Sequence, residues 1–201
     1  MSRILVAYVT HSGSTREVAE FLGEELRSLG HQVDVRPARE VADLAAYDAV
    51  VAGSLLYRFG WHRDMLHFLE RHGRMLESRP VALFVTGLGM DPSVYSASAP
   101  YPIHFDPAAP RMRPQDGLRS KGSGIMETYF KGLLSTLEEI EPRSLAFFRG
   151  KVDMESLWVP ERLVMSLIMR VSGNTPGDYR NWEDMRAWVR GLDLGPNAEV
   201  Q

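Results

Sequence analysis

Small, hydroxylated residues follow directly on the first apolar run of the chain. That run is Ile4 to Val9, and the next six residues read Thr-His-Ser-Gly-Ser-Thr at 10–15 before a helical pattern begins. Hydroxyls and free backbone N–H groups at a helix N-terminus are donors with which proteins hold an anion. We therefore interpret 10–15 as a candidate phosphate loop. The alternative is an ordinary strand-to-helix turn that is closed by a side-chain N-cap.

Two other phosphate-binding patterns are absent from the sequence. The string G-x-x-x-x-G-K-[ST], which serves phosphoryl transfer, does not occur. The dinucleotide pattern G-x-G-x-x-G is missing as well, because Gly13 is the only glycine in the turn. Arg16 is the only residue near the turn in sequence with a fixed positive charge. A loop of neutral donors suits a phosphate that is held in place, and this favours the phosphate of FMN.

Two later turns carry the other candidate binding residues. The turn at 54–61 follows the third apolar run and contains the aromatic residues Tyr57, Phe59 and Trp61. Aromatic faces stack on a flat ring, and nearby backbone amides can meet its polar edge. The alternative is that these rings pack beneath the following helix. The turn at 86–89 contains two glycines, which allow close approach of the backbone to a ligand.

Together the three turns give the predicted cofactor site. Its residues are Thr10, His11, Ser12, Gly13, Ser14, Thr15, Ser54, Leu55, Leu56, Tyr57, Arg58, Phe59, Gly60, Trp61, Thr86, Gly87, Leu88 and Gly89. Arg58 is a candidate for stabilising an anionic reduced ring or a substrate carboxylate, and its alternative is a solvated surface side chain. His62 is a candidate proton donor, although a histidine beside an apolar helix is more often structural.

Length and composition argue against several classes of function. The chain has 201 residues, a formal net charge of −3 and no cysteine. We predict one domain over 1–195 and a frayed tail at 196–201. The small net charge gives no reason to expect a nucleic-acid partner, and the lack of cysteine excludes disulfides and thiolate metal sites, so we predict no metal. Without a secretory leader or a membrane-spanning apolar run, the expected location is the cytoplasm.

Apolar runs alternate with helical periodicities along the chain, as in α/β proteins. We predict strands at 4–9, 31–37, 49–53, 81–86 and 144–150, helices at 17–29, 61–76, 125–140, 161–171 and 182–192, and a short helical turn over 41–47. These elements predict a doubly wound, five-stranded parallel sheet in the order 2-1-3-4-5. Its carboxyl edge would bring the three turns together. Residues 90–124 lack periodicity and are expected to form a long, irregular insertion after strand 4, as a lid or a partner arm.

The order of these loops resembles that of the flavodoxin-like FMN proteins, and most closely the menaquinone-type protoporphyrinogen IX dehydrogenases. Thr10, Gly13 and Thr15 match the form T-x-x-G-x-T, 53–62 is similar to the strand-three turn, and 161–173 and 181–183 resemble later helices. The resemblance implies that the protein binds FMN as its cofactor. It also implies that the protein is a quinone-linked oxidoreductase of heme biosynthesis, with a quinone and a porphyrinogen as reactants. The alternative is a flavodoxin that carries electrons between redox proteins. Residues 90–124 form a segment much longer than the corresponding turn of that family, so the resemblance does not decide the identity of the substrate.

The segment at 161–171 is strongly apolar, with seven apolar residues among the nine from Leu163 to Val171. Helices that are apolar all round are usually buried, so packing on the sheet is the favoured interpretation. The alternatives are contact with a quinone tail or the inner face of the membrane, and a homodimer interface.

Overall fold

The computed structural model describes residues 1–57, 60–87, 101–108, 140–154 and 175–195, and between the last two ranges only 158, 159, 162, 163, 166 and 170. The strands are β1 (Arg3–Val9), β2 (Gln32–Pro37), β3 (Ala49–Tyr57), β4 (Gly60–Trp61), β5 (Val81–Gly87), β6 (Ile103–Phe105), β7 (Ser144–Arg149), β8 (Lys151–Val152) and β9 (Gly177–Asp178). The helices with both ends in the described ranges are α1 (Ser14–Ser28), α2 (Arg63–Glu77) and α3 (Trp182–Arg190), and a 3-10 turn spans Ala38–Glu40.

Six strands form one parallel sheet in the order β2-β1-β3-β5-β7-β6. The predicted doubly wound order is confirmed, and β6 adds a sixth strand at the edge. This strand lies inside the insertion that was predicted to be irregular. It is only three residues long, which is too short to produce a recognisable apolar alternation. β4 pairs with the end of β3, and β8 and β9 form a separate antiparallel ribbon.

The central strands are buried on both faces, which explains why they read as continuous apolar runs. Each face carries its own apolar layer. The layer beneath α2 includes Leu5, Ala52, Leu83, Met65 and Leu69. The layer beneath α1 and α3 includes Ile4, Val51, Phe84, Leu22 and Trp188. Burying one side chain of leucine size stabilises the fold by about 1.5–3 kcal/mol, so both helical layers are needed to hold the sheet.

Several predicted boundaries were wrong, since β3 extends to Tyr57 and not only to Gly53, and α2 begins at Arg63 and not at Trp61. α1 begins at Ser14 and not at Glu17, because Gly13 already serves as its N-cap residue. The helical turn predicted over 41–47 lies earlier, at Ala38–Glu40. Val41, Leu44 and Tyr47 are instead buried in an irregular connection, and their spacing of three reflects which residues face the core. Most of the helices predicted at 125–140 and 161–171 lies outside the described residues.

A carboxylate on α1 fastens this helix to α3. Glu25 accepts hydrogen bonds from Arg186 Nε at 2.9 Å and from Arg190 Nε at 3.0 Å. The hydrogen bond from Arg186 is the main reason that the pKa of Glu25 lies below its ordinary value. Since α1 starts at the candidate phosphate loop, these contacts help to position the helix that carries the site.

His72, on the inner side of α2, is a buried titratable residue with an exposed fraction of 5%. Within the described part of the chain its Nε2 atom has no hydrogen-bond partner. Burial lowers the pKa of His72, and the hydrogen bond with the backbone of Val41 offsets only part of that shift. The folded protein therefore keeps this imidazole neutral at a pH where an unfolded chain would protonate it.

We expect His72 to make the protein sensitive to mild acid. Below about pH 6.5, the ordinary pKa of histidine, the unfolded chain gains a proton that the folded chain does not, so the free energy of unfolding falls. His72→Met removes the titrating group and should not show this part of the decline. Urea unfolding between about pH 7.5 and about pH 5 measures the difference, since other titrations are shared by both proteins. A difference that stays constant with pH would contradict the expectation.

Candidate functional site

The carboxyl ends of β1, β3 and β5 lie side by side. In the sheet register Val9 is opposite Ser54, and Leu55 is opposite Thr86. The hydroxyl oxygens of Thr15 and Thr86 lie 2.9 Å apart, and both side chains are buried. A direct hydrogen bond therefore joins the first predicted loop to the last, as expected for loops at the topological switch point of a parallel sheet.

The loop at 10–15 is folded around Gly13. Its φ angle is 94°, a left-handed conformation that glycine adopts without strain. The N–H of Gly13 donates to Thr10 Oγ1 at 3.0 Å, and its carbonyl accepts from the N–H of Glu17 at 3.1 Å. Because Thr10 Oγ1 is an acceptor here, its own hydroxyl proton can be donated elsewhere. The backbone thus turns sharply from β1 into α1 with hydroxyls around the turn.

The start of α1 is open to an external acceptor. Among the described residues no side chain caps it, so the structure does not contain the ordinary capped turn that was the alternative interpretation. The N–H groups of the first helical turn, from Ser14 to Arg16, have no acceptor within the helix. The helix dipole adds partial positive charge at the same place. This donor set fits a phosphate group. His11 and Ser12 are exposed at the rim of the loop.

The predicted turn at 54–61 is a β-hairpin. β3 continues to Tyr57 and pairs antiparallel with β4, with Leu56 opposite Trp61. Ser54 closes the base of the hairpin, because its hydroxyl donates to the Leu55 carbonyl at 3.0 Å and accepts from the N–H of His62 at 3.2 Å. The prediction that residues from Ser54 onward form a turn was wrong, because β3 extends to Tyr57 and the sequence has no Asn-Gly or Asp-Gly pair here to indicate a hairpin.

Among the aromatic residues of this segment, the described side chain is that of Trp61. Trp61 is only 7% exposed and packs in the apolar layer beneath α2, as in the alternative interpretation. Leu55 and Leu56 are half-buried against the same layer. For Tyr57 and Gly60 only the backbone is described. The predicted site residues Arg58, Phe59, Leu88 and Gly89 lie outside the described residues.

His62 is the N-cap residue of α2. Its Nδ1 atom accepts a hydrogen bond from the N–H of Asp64 at 3.2 Å. The helix itself leaves the N–H groups of its first turn unpaired, and His62 provides an acceptor for one of them. This structural role explains why a histidine stands at the start of α2. Its predicted role as a proton donor stays a prediction.

The structure also brings a distant cation to the candidate loop. Arg180 Nη1 donates to Glu17 Oε2 at 2.6 Å, across 163 positions of sequence. Glu17 belongs to the first turn of α1, so Arg16 is not the only fixed positive charge near the loop. Sequence reasoning missed Arg180 because local patterns contain no signal for such a long-range ion pair.

The described part of the insertion reaches the same end of the sheet. Asp106, just after β6, is buried and accepts a hydrogen bond from Asn181 Nδ2 at 3.2 Å. His104, within β6, lies 2.9 Å from the Asp184 carboxylate. Both partners belong to the start of α3. The insertion is therefore anchored where the carboxyl edge of the sheet meets α3.

The described ranges contain neither a cluster of metal-ligating side chains nor a helix that spans a membrane. No group of three or more His, Cys, Asp or Glu side chains in these ranges is placed to hold a metal ion. No helix in them is both long enough and apolar enough to cross a membrane. Leu163, within the predicted apolar helix, is 69% exposed, and Trp158 and Val159 are exposed just before it. Leu163 itself therefore does not pack on the sheet.

Comparisons with known proteins identify the family and the fold of the chain. The chain matches a family model for the flavodoxin domain over residues 5–177. It is similar to the protoporphyrinogen IX dehydrogenase [quinone] of Escherichia coli (strain K12), with 32% identity over 88 residues. That match covers 43% of this chain and 49% of the relative, so the chain spans about half the length of the curated relatives it matches.

The fold is also similar to that of a solved short-chain flavodoxin associated with a bacterial microcompartment. The two share a TM-score of 0.50 and 15% identity, over 96% of this chain and 97% of the other. At this identity the likeness concerns the fold alone. It confirms the flavodoxin-like architecture that the sequence predicted.

Proposed function

The chain belongs to the flavodoxin domain family, and on that premise we propose that it binds FMN at the carboxyl edge of its sheet. In this proposal the phosphate lies in the loop at 10–15, and the ring lies between the β3–β4 hairpin and the turn that follows β5. The observation that carries the proposal is the start of α1, which is uncapped by any described side chain and follows a left-handed Gly13.

Each part of the loop has a distinct task in this proposal. The first-turn N–H groups of α1 and the hydroxyls of Thr10, Ser12 and Ser14 would donate to the phosphate oxygens. The buried hydrogen bond between Thr15 and Thr86 would keep the phosphate loop at a fixed distance from the end of β5. When bound, FMN would supply the redox chemistry, and the protein would supply orientation and access.

We further propose that the protein is an oxidoreductase that transfers electrons from a porphyrinogen-like substrate to a quinone. In the overall reaction the substrate loses hydrogen as paired electrons and protons, and the quinone gains them and becomes a quinol. The match of 88 residues to a quinone-linked dehydrogenase supports this activity. The exposed residues Trp158, Val159 and Leu163 support contact with an apolar partner such as a quinone tail, a membrane surface or a second copy of the chain.

A titration with FMN and riboflavin tests the cofactor. Riboflavin has the same ring but lacks the phosphate, so the ratio of the two dissociation constants isolates the loop at 10–15. Several charge-assisted hydrogen bonds at about 1.5–3 kcal/mol each lead us to expect that FMN binds at least about a hundredfold more tightly. Flavin absorbance and fluorescence report the binding. Equal affinity for both flavins would remove the phosphate loop from the proposal, and failure to bind FMN would overturn it.

The flavin-loaded protein then separates the two candidate functions. A dehydrogenase should oxidise protoporphyrinogen IX without oxygen when a quinone is present, with quinol formed in proportion. An electron carrier, the second candidate, would bind FMN equally well and exchange electrons with a redox protein, but would not couple these two reactants. Anaerobic appearance of porphyrin fluorescence, with and without quinone, is the readout.

A further inference from the structure

Arg180 is an almost fully buried cation whose side chain is 5% exposed. Its Nε and Nη2 atoms donate to the two carboxylate oxygens of Asp178, at 2.8 and 2.6 Å. Its Nη1 atom donates to Glu17 at 2.6 Å, and the guanidinium lies 4.5 Å from the ring centre of Trp182. A buried charge is stable only when it is paired and hydrogen-bonded. All three guanidinium nitrogens therefore have a defined partner, which fixes the position of this side chain.

The two carboxylates that hold Arg180 belong to segments that are far apart in sequence. Asp178 ends β9, in the ribbon that continues from the carboxyl end of β7. The ribbon is tied to the sheet edge, since the N–H of Tyr179 donates to the carbonyl of Gly150 at 3.2 Å. Glu17 lies in the first turn of α1. Arg180 thus connects the ribbon at the carboxyl end of β7 to the start of α1.

The position of Glu17 raises an electrostatic problem for the proposed phosphate site. A carboxylate in the first turn stabilises an empty helix, because it faces the positive end of the dipole. A phosphate monoester carries a charge of about −1.5 to −2 at neutral pH, and would be repelled by a carboxylate one helical turn away. The ion pair with Arg180 directs the Glu17 carboxylate towards the ribbon and offsets part of the negative charge that Glu17 and Asp178 carry together.

We propose that Arg180 is a positioning residue of the phosphate loop, which acts through Glu17 to make the start of α1 compatible with a phosphate dianion. This inference rests on the proposed FMN site. The hydrogen bonds also favour the ionised forms of Arg180 and Asp178. The hydrogen bond with Asp178 raises the pKa of Arg180, and the same contact lowers the pKa of Asp178. Arg180 therefore stays charged wherever the phosphate is charged.

Glu17→Gln is the first variant to measure, because the Glu17 side chain is 45% exposed and glutamine can still accept the hydrogen bond. Removing one negative charge at about 8 Å from the phosphate should lower the Kd for FMN about fivefold and leave the Kd for riboflavin unchanged. The effect should disappear in about 1 M salt, where the Debye length is about 3 Å. Glu24→Gln removes the same charge from an exposed position further along α1, and should leave both constants unchanged.

Arg180→Met completes the test. It keeps most of the side-chain volume but leaves both Glu17 and Asp178 without their cation, so we expect FMN to bind about tenfold more weakly, while riboflavin binding changes little. The double variant with Glu17→Gln should recover most of the loss. If Arg180→Met does not fold, the comparison of Glu17→Gln with Glu24→Gln decides the question by itself.

The outcomes separate this inference from the cofactor proposal on which it rests. Unmodified protein that fails to bind FMN would overturn both. Unmodified protein that binds FMN, with a Glu17→Gln variant of unchanged affinity, would overturn only the role of Arg180. If Arg180→Met bound FMN and riboflavin more weakly by the same factor, the role of Arg180 would also be overturned, because that result would indicate a contact that only stabilises the fold.

Discussion

Gly53→Ala should destabilise the protein by about 3 kcal/mol, at the upper end of the usual cost of overpacking a core. Gly53 lies in β3 directly beside Phe84 of β5. A Cβ atom added at this glycine would lie 1.9 Å from Cζ and 2.1 Å from Cε1 of the Phe84 ring. These separations are far below van der Waals contact, so the ring or the strand must move.

The phenylalanine ring has little room to move away. Phe84 is fully buried, with its ring centre 6.1 Å from that of Phe148 and 6.5 Å from that of Trp188. Well-packed interiors resist such displacement because neighbouring side chains already occupy their rotamer minima. The strain would also reach the candidate site, since the next residue is Ser54, whose hydroxyl closes the base of the β3–β4 hairpin.

Urea unfolding of three variants tests this explanation. Gly73→Ala is the matched control, because it makes the same chemical change within α2, where no described atom lies within 4 Å of the added Cβ. It should stabilise the protein by about 0.5–1 kcal/mol, since alanine is the better helix former. Adding Phe84→Leu to Gly53→Ala should restore part of the lost stability by making space. A Gly53→Ala protein as stable as the unmodified one would show that the ring does not occupy that space.

The parts of the fold that the sequence predicted are those with a local signal. Parallel strands that are buried on both faces must be apolar throughout, so β1, β5 and β7 stand out as apolar runs. The turn at 10–15 was recognisable because a sharp turn from a strand into a helix needs small residues and a glycine close together. The order of the strands then followed from the strand–helix alternation and its handedness.

The parts that were missed depend on contacts between distant segments. β6 has three residues and is held in place by pairing with β7 and by the start of α3. The ion pair between Glu17 and Arg180 spans 163 positions. Residue type alone also could not assign Trp61, because an aromatic ring that stacks on a ligand and one that fills a core look the same in sequence. Only its burial beneath α2 distinguishes them.

Ser12→Asp should weaken FMN binding by about thirtyfold or more, while the FMN-free protein keeps or gains stability. Ser12 is exposed and directly precedes Gly13, so the new carboxylate would stand at the N-terminus of α1. In the absence of FMN it faces the positive end of the helix dipole, which is worth about 0.3–1 kcal/mol. When FMN binds, it stands about 5 Å from a phosphate of charge near −2, which costs about 2 kcal/mol or more in a partly exposed site.

Ser12→Asn separates charge from size in this experiment. Asparagine has nearly the same shape as aspartate and also accepts hydrogen bonds at a helix start, so it should lower the affinity for FMN only a few-fold, through loss of the serine hydroxyl. The measurements are the Kd for FMN, the Kd for riboflavin and the thermal midpoint of the FMN-free protein. For Ser12→Asp the affinity and the stability should change in opposite directions, with riboflavin unaffected. A general disturbance of the loop would lower all three together, and a phosphate bound elsewhere would leave the Kd for FMN unchanged.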